Sequence, residues 1–281
     1  MLRSPGVRFF SYAVLLLLAC TMIVPLWSVV ATSLTTKYAS LQPGIIMWPD
    51  PFSLEGYATL FNRLRFIVPF FNTMIVTASG TVLHVILAAL GGYVLSQQSL
   101  PGRRVIAAII LLTLTIPSHV ILVPLFVVFK QLHLLNTLWS LVISNLVSAF
   151  SILLMKTYFE QVPRELIESA RMDGASTFAL MRDFYFPLAL PGIVTVAAFQ
   201  IVYRYNMFIE PLLYINDSDL TTLQIALKSV IISEGSTSTN DYIAPNVMMA
   251  GIVVALVPLL IFYPIMQRYL IRGLTVGGVK E

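Results

Sequence analysis

The chain has 281 residues, of which 58% are hydrophobic and 11% charged, with a formal net charge of +4 and a mean hydropathy of +0.86. A soluble domain carries about 25% charged residues, so this composition excludes a water-soluble core and makes the bilayer the solvent. The single cysteine, Cys20, excludes an intrachain disulfide and reads as small apolar filler within an apolar run.

From the amino end, the apolar run 7–31 is too long for a signal-peptide core, and no A-x-A cleavage site follows it. It reads as a retained span. A bilayer core of ~30 Å takes about 20 helical residues. Six runs meet that length: 9–31, 70–95, 105–129, 138–158, 190–215 and 247–269. Polar or turn-rich breaks separate them, among them WPDPFS at 48–53, QQSLPGRR at 97–104, KQLHLLN at 130–136 and the stretch 216–245. Strand-type alternation is absent, which argues against a barrel. The expected fold is all-α integral membrane: one domain over 1–281 with six transmembrane helices. Pro25, Pro117, Pro124, Pro211, Pro258 and Pro264 fall inside these runs, and each removes a backbone donor and kinks its helix. Bent helices around a pathway account for them, and so does plain helix packing. No inverted half-to-half pattern of the secondary-transporter kind is visible.

Charge placement predicts orientation. With both termini on one side, that side holds Arg3, Arg8, Arg103, Arg104, Lys156, Arg164, Arg171, Arg182, Arg268, Arg272 and Lys280. The other side holds Lys37, Arg63, Arg65, Lys130 and Lys228, with Arg204 left inside a span. Eleven cations against five put both termini in the cytoplasm by the positive-inside rule.

Between the fourth and fifth runs lies ELIESARMDGASTFALMRDFYFPLALPG, residues 165–192, with six charged residues, four of them within 165–173. Pro163 suits the first turn of a helix. Leu166, Ile167, Ala170 and Gly174 then fall on one face at steps of 3 and 4, while Arg164, Glu165, Glu168 and Arg171 lie off it. Gly174 allows the left-handed turn that ends a helix, and Ser176 can cap a second helix carrying Phe178, Met181 and Phe184. Two short helices with a tight turn on the cytoplasmic face form a docking element. The same shape also suits an amphipathic connector resting on lipid headgroups, with Glu168 paired to Arg164 or Arg171 on its own helix.

The segment E-S-A-R-M-D-G (168–174), nine residues, then F-Y-F-P (184–187) resembles the E-A-A-x3-G-x9-I-x-L-P loop of membrane subunits of bacterial ABC importers. Ser169 stands for an alanine, and Phe184 and Phe186 for aliphatic residues. The wider stretch V-P-R-E-L-I-E-S-A-R-M-D-G-A-S, the segment Y-N-M-F-I-E-P-L-L-Y-I-N-D (205–217) and the tail R-Y-L-I-R-G-L-T-V-G-G-V-K-E (268–281) are similar to the maltose-permease type. This is the oligosaccharide branch of the binding-protein-dependent inner membrane components. The resemblance implies the type I ABC importer transmembrane fold, with 160–189 as a coupling loop seated in a cleft of a separate cytoplasmic ATPase. There Glu165, Glu168, Ala170, Met172, Asp173 and Gly174 would form the contact, Glu168 meeting a basic residue and Gly174 making the turn. It implies a second, homologous permease subunit, two ATP-binding subunits holding ATP and Mg, and an extracytoplasmic solute-binding protein facing the loop 216–245. It also implies a tail that reaches the ATPase. The chain has no G-x-x-x-x-G-K-[ST] phosphate loop, so it binds no cofactor of its own and is not the ATPase.

Polar groups inside a span are functional candidates. Arg204 lies 13 residues past Pro191, ~20 Å along a helix and about two-thirds of the way across the core. It is expected to face a wet pathway or a partner, or to snorkel to the outer interface. Gln200, Tyr203, Tyr205 and Asn206 surround it with the aromatic faces and hydrogen-bonding groups that hold sugars. An Arg204 in the pathway favours an anionic sugar such as a uronate. The family implies that the other permease subunit often supplies most contacts, which leaves gating as the alternative role. Asn145, Trp139 and Ser148 on the fourth run are further candidates, with packing as their alternative. His84, His119 and His133 lack metal spacing, and no nucleophile–base arrangement marks an enzyme. Nothing points to nucleic acid. The rival readings are a stand-alone secondary transporter, a membrane enzyme and an importer of another solute.

Overall fold

The computed structural model describes residues 5–62, 65–232 and 243–276. The loop tip 235–241 and the residues 277–281 of the tail therefore lie outside the described residues. Among the described residues the chain is helical, and its one β-type contact is an isolated bridge between Thr35 and Phe52. The helices in chain order are α1 (Pro5–Ser33), α2 (Lys37–Ser40), α3 (Glu55–Asn62), α4 (Ile67–Ser96), α5 (Arg103–Thr113), α6 (Ser118–Gln131), α7 (Leu138–Ser144) and α8 (Ala149–Glu160). They continue with α9 (Arg164–Met172), α10 (Thr177–Leu180), a widened turn (Met181–Tyr185), α11 (Phe186–Leu188), α12 (Leu190–Tyr205), α13 (Ile209–Tyr214), α14 (Leu223–Ile232) and α15 (Pro245–Val276).

Among the described residues three helices are long and apolar enough to cross a membrane unbroken: Gly6–Ser33, Ile67–Ser96 and Pro245–Gln267. Three further crossings arise only if bent pairs are counted as one: α5 with α6 at 95°, α7 with α8 at 53°, and Thr177–Leu188 with α12 at 74°. The breaks have local causes. Pro117 bars the helical conformation at Ile116, and α6 starts afresh after it. The run 190–215 is divided: α12 stops at Tyr205 and α13 begins at Ile209. Pro211 has no N–H and its ring crowds the carbonyl four residues back, which favours a break at Met207. Between α7 and α8 no proline intervenes. Asn145 ends one helix, and the Ser148 side chain caps the next by accepting from the Ser151 N–H at 3.1 Å.

The chain forms two compact units, Met1–Ile67 with Ala226–Pro258, and Val68–Ile225 with Leu259–Glu281. In the first, Asn246 donates its side-chain amide to the Thr35 carbonyl at 3.1 Å, and Ser33 and Tyr57 share a hydroxyl hydrogen bond of 2.8 Å. Many of α1's large apolar side chains are exposed, Leu16, Leu17 and Met22 among them, which suits a lipid solvent. The second unit holds two apolar clusters. One gathers Val76, Phe129, Leu141, Val142, Met207 and Tyr214. Beside it, Asn136 adopts φ 58° and its side-chain oxygen accepts from the N–H groups of Asn216 and Asp217 at 3.0 and 2.8 Å. The other cluster carries the charged block.

Candidate functional site

The helix α9 buries Ile167 and Ala170 and leaves Glu165, Glu168 and Arg171 exposed. Its buried side is narrower than the periodicity suggests, because Leu166 is exposed. Met172 is 88% exposed, and Phe178 on α10 is also open. The helix ends on Gly174 at φ +84°. There the Gly174 N–H reaches the Arg171 carbonyl at 3.0 Å and the Ala175 N–H the Ala170 carbonyl at 2.9 Å. This paired closure satisfies the last carbonyls of a helix and needs a left-handed residue at its centre. Ser176 then caps α10 by accepting from the Ala179 N–H at 3.2 Å. Arg182 clasps Asp183 through two bonds of 2.6 and 3.0 Å, and this hydrogen bonding holds the exposed Asp183 carboxyl below its ordinary value. Among the described residues Glu168 makes no ion pair with Arg164 or Arg171. It borders a polar cavity of about 380 Å³ shared with Arg103, Glu160, Arg164 and Arg171.

The block is fixed to the spans by an aromatic cluster. Tyr185 from the widened turn meets Tyr93 near the end of α4 at 5.1 Å and Phe159 near the end of α8 at 5.9 Å, ring centre to ring centre, and Tyr93 and Phe159 lie 6.2 Å apart. Ile167, Ala170, Leu180 and Ala189 pack with these rings in one core. Edge-to-face ring pairs add to the energy of burying their area, so α9 is packed firmly against the ends of α4 and α8. Tyr185→Ala is expected to cost about 3 kcal/mol and to lower the thermal stability of the purified protein, while Tyr185→Phe, which keeps the ring, changes it little. Equal stability of both variants would show that the joint is not built on this ring.

The residues expected along a substrate path divide into two groups. Asn145, Tyr203 and Asn206 line a cavity of about 710 Å³ with His119, Phe208 and Glu210, and the Tyr203 hydroxyl donates to the Glu210 carboxylate at 2.6 Å. Gln200, Arg204 and Tyr205 are buried and do not line it. Arg204 is 1% exposed. Its two terminal nitrogens donate to the Leu141 and Asn145 carbonyls, each at 2.9 Å. These are carbonyls that the end of α7 leaves without helical partners. Gln200 donates to the same Asn145 carbonyl at 3.3 Å, and a His84 ring nitrogen lies 3.0 Å from it. The other His84 nitrogen meets the Ser151 hydroxyl at 2.8 Å. Sequence reasoning weighed His84 only as a metal ligand and passed over Ser151. The signal that finds them is polarity inside an apolar span. Trp139 is exposed, and Ser148 is engaged as the cap of α8.

With this geometry in hand, residues 80–276 match the family described as binding-protein-dependent transport system inner membrane component. The chain belongs to that family. It is 31% identical over 277 residues to the polygalacturonan/rhamnogalacturonan transport system permease protein YtcP of Bacillus subtilis (strain 168), covering 96% of each chain. It is 30% identical to the arabinooligosaccharides transport system permease protein AraQ of the same organism, covering 100% of each. Among solved structures, a chain of a bacterial ABC transporter involved in the import of the acidic polysaccharide alginate superposes with a TM-score of 0.86 at 28% identity, over 96% of this chain and 99% of that one. The helical architecture is therefore that of an ABC importer transmembrane subunit, and this permease is a multi-pass inner membrane protein that works with other ABC components.

Proposed function

We propose that this chain is one of two permease subunits of an ATP-driven importer of sugars, in the oligosaccharide range. The carbohydrate cargoes named for its relatives support that range. The observation that carries the mechanism is the outer face of α9, where Glu165, Glu168 and Met172 stand exposed while Ile167 and Ala170 anchor the helix to the ends of α4 and α8. In this reading Glu165, Glu168, Ala170, Met172, Asp173 and Gly174 form the seat of a separate ATPase subunit. Closing the ATPase dimer around ATP and Mg draws the two seated loops together, and the aromatic joint passes that movement to the spans. The motion is driven only if the ATPase grips the two states differently, which requires a stiff loop. A homologous second permease, two ATP-binding subunits and an extracytoplasmic binding protein complete the assembly. The termini and α9 lie in the cytoplasm, in keeping with the eleven cations on that side. This subunit does no covalent chemistry and holds no cofactor. The cavity bearing Tyr203, Asn206 and Asn145 lines its part of the path, and Gln200, Arg204 and Tyr205 are buried outside that lining.

The test is co-purification from mild detergent with untagged proteins left in place. An ATPase at about two copies per complex and a second permease are expected to come down with this chain. ATP hydrolysis should rise when binding protein loaded with oligosaccharide is added. Recovery of the chain alone, active in transport without any ATPase, would overturn the reading.

A further inference from the structure

The cavity beside the start of α5 adjoins the one that Glu168 borders, sharing Arg103 with it, and is lined by none of the residues expected along the substrate path. It has a volume of about 770 Å³ and is lined by Arg103, Arg104 and Lys156, with Leu100, Gly102 and Val105. Arg103 is held in place by donating from Nε to the Leu95 carbonyl at 2.7 Å and by pairing with Glu160. Lys156 meets the same Glu160 carboxylate at 2.9 Å. One carboxylate thus answers two cations, and Arg104 makes no ion pair among the described residues. The cluster keeps two positive charges in excess. Below it, α5 buries none of its residues, and Val105, Ile109 and Leu112 form an exposed apolar lane at steps of 4 and 3. The helix has 11 residues, or ~16 Å, close to one leaflet's half of a ~30 Å hydrocarbon core.

We propose that this cavity binds the phosphate headgroup of an anionic phospholipid of the cytoplasmic leaflet, with an acyl chain lying along the α5 lane. The placement rests on the orientation given under the proposed function. Two excess cations at headgroup level, above an apolar lane one leaflet long, match such a lipid in both charge and shape. Basic pockets between helices on the cytoplasmic side recognise lipids of this class. The α5 N-terminus, which no side chain caps, adds backbone N–H groups as a lesser contribution.

The test uses the purified permease–ATPase complex in detergent, offered phosphatidylglycerol and phosphatidylcholine of matched chains in equal amounts, with retained lipid counted by native mass spectrometry. The wild type should retain phosphatidylglycerol preferentially. Arg104→Gln, at an exposed position, should lower that preference about fivefold, and adding Lys156→Gln should lower it about fivefold again. Arg104→Lys should keep it. Equal retention of the two lipids by the wild type, or an unchanged preference in Arg104→Gln, would overturn the proposal. Displacement of the lipid by inorganic phosphate would also overturn it, by showing a site for a soluble anion. Retention in detergent does not depend on membrane sidedness, and ATPase recovery is scored in the same preparation. Failure of the lipid site is thereby separated from failure of the importer reading.

Discussion

A chain carrying Glu168→Lys is expected to insert into the membrane at the normal level and to lose uptake. Glu168 is exposed and unpaired with its neighbours on α9, so the subunit itself loses nothing measurable beyond the ±0.5 kcal/mol of a surface change. In the proposed seat, where it would meet a basic residue of the ATPase, the same carboxylate is one half of a desolvated pair. Breaking such a pair costs 2–5 kcal/mol, which weakens ATPase binding on the order of a hundredfold. Gly174→Val tests the same seat through its geometry. No neighbouring atom obstructs a side chain there, so the penalty is wholly in the backbone at φ +84°, a conformation that costs an L-residue ~1–2 kcal/mol and a β-branched one more. The chain relieves that strain by opening the turn, which re-aims Phe178 and α10 relative to α9. Immunoblotting of membranes, ATPase recovery on purification and sugar uptake give the three readouts. Normal uptake by both variants would remove α9 from the coupling mechanism.

Much of this loop was legible because its determinants are local. A proline before the first turn, a glycine where the chain must turn left-handed and a serine three residues ahead of a free N–H act within a few positions of one another, and the structure places each as its chemistry dictates. Leu166 was misjudged because helical spacing gives a face about 100° wide, whereas the core that α9 meets accepts only Ile167 and Ala170. The spans were visible as apolar runs, but the breaks inside them were not all visible. Pro117 and Pro211 announce two of them. The break after Ser144 has no proline, and what sustains it arrives from elsewhere: Arg204, Gln200 and His84 converge on the Asn145 carbonyl from 55 to 61 residues away in sequence. Such convergence exists only in three dimensions. This is also why Arg204, read alone as a charge within a span, pointed toward the pathway. Helical rise gives an expected depth, but depth does not say which way a side chain turns.

Arg204→Ala is therefore expected to weaken the subunit and to leave cargo preference unchanged. The guanidinium replaces helical partners for the Leu141 and Asn145 carbonyls. After the substitution Asn145 keeps His84 and Gln200, and Leu141 keeps the Ser144 hydroxyl, which donates to it at 3.0 Å. Hydrogen bonds from a charged donor are worth about 1.5–3 kcal/mol, and the volume vacated by a long side chain adds a cavity term of similar size. Arg204→Met keeps the bulk and isolates the first of these. Arg204→Lys should not restore the wild type, because a single ammonium on a flexible stem does not reproduce a planar fork aimed at two carbonyls. Gly80 offers an independent route to the same state. A Cβ there would lie 2.3 Å from a terminal nitrogen of Arg204 and 2.4 Å from its guanidinium carbon, so Gly80→Ala drives the fork off its carbonyls without altering Arg204. All these variants should show a lowered melting temperature in detergent. Uptake per folded complex should keep the wild-type ratio between acidic and neutral oligosaccharides, since the cavity proposed as the path is lined by Asn145, Tyr203 and Asn206 with Glu210 and not by Arg204. A variant of Arg204 that melts normally but reverses that ratio would return the arginine to the pathway.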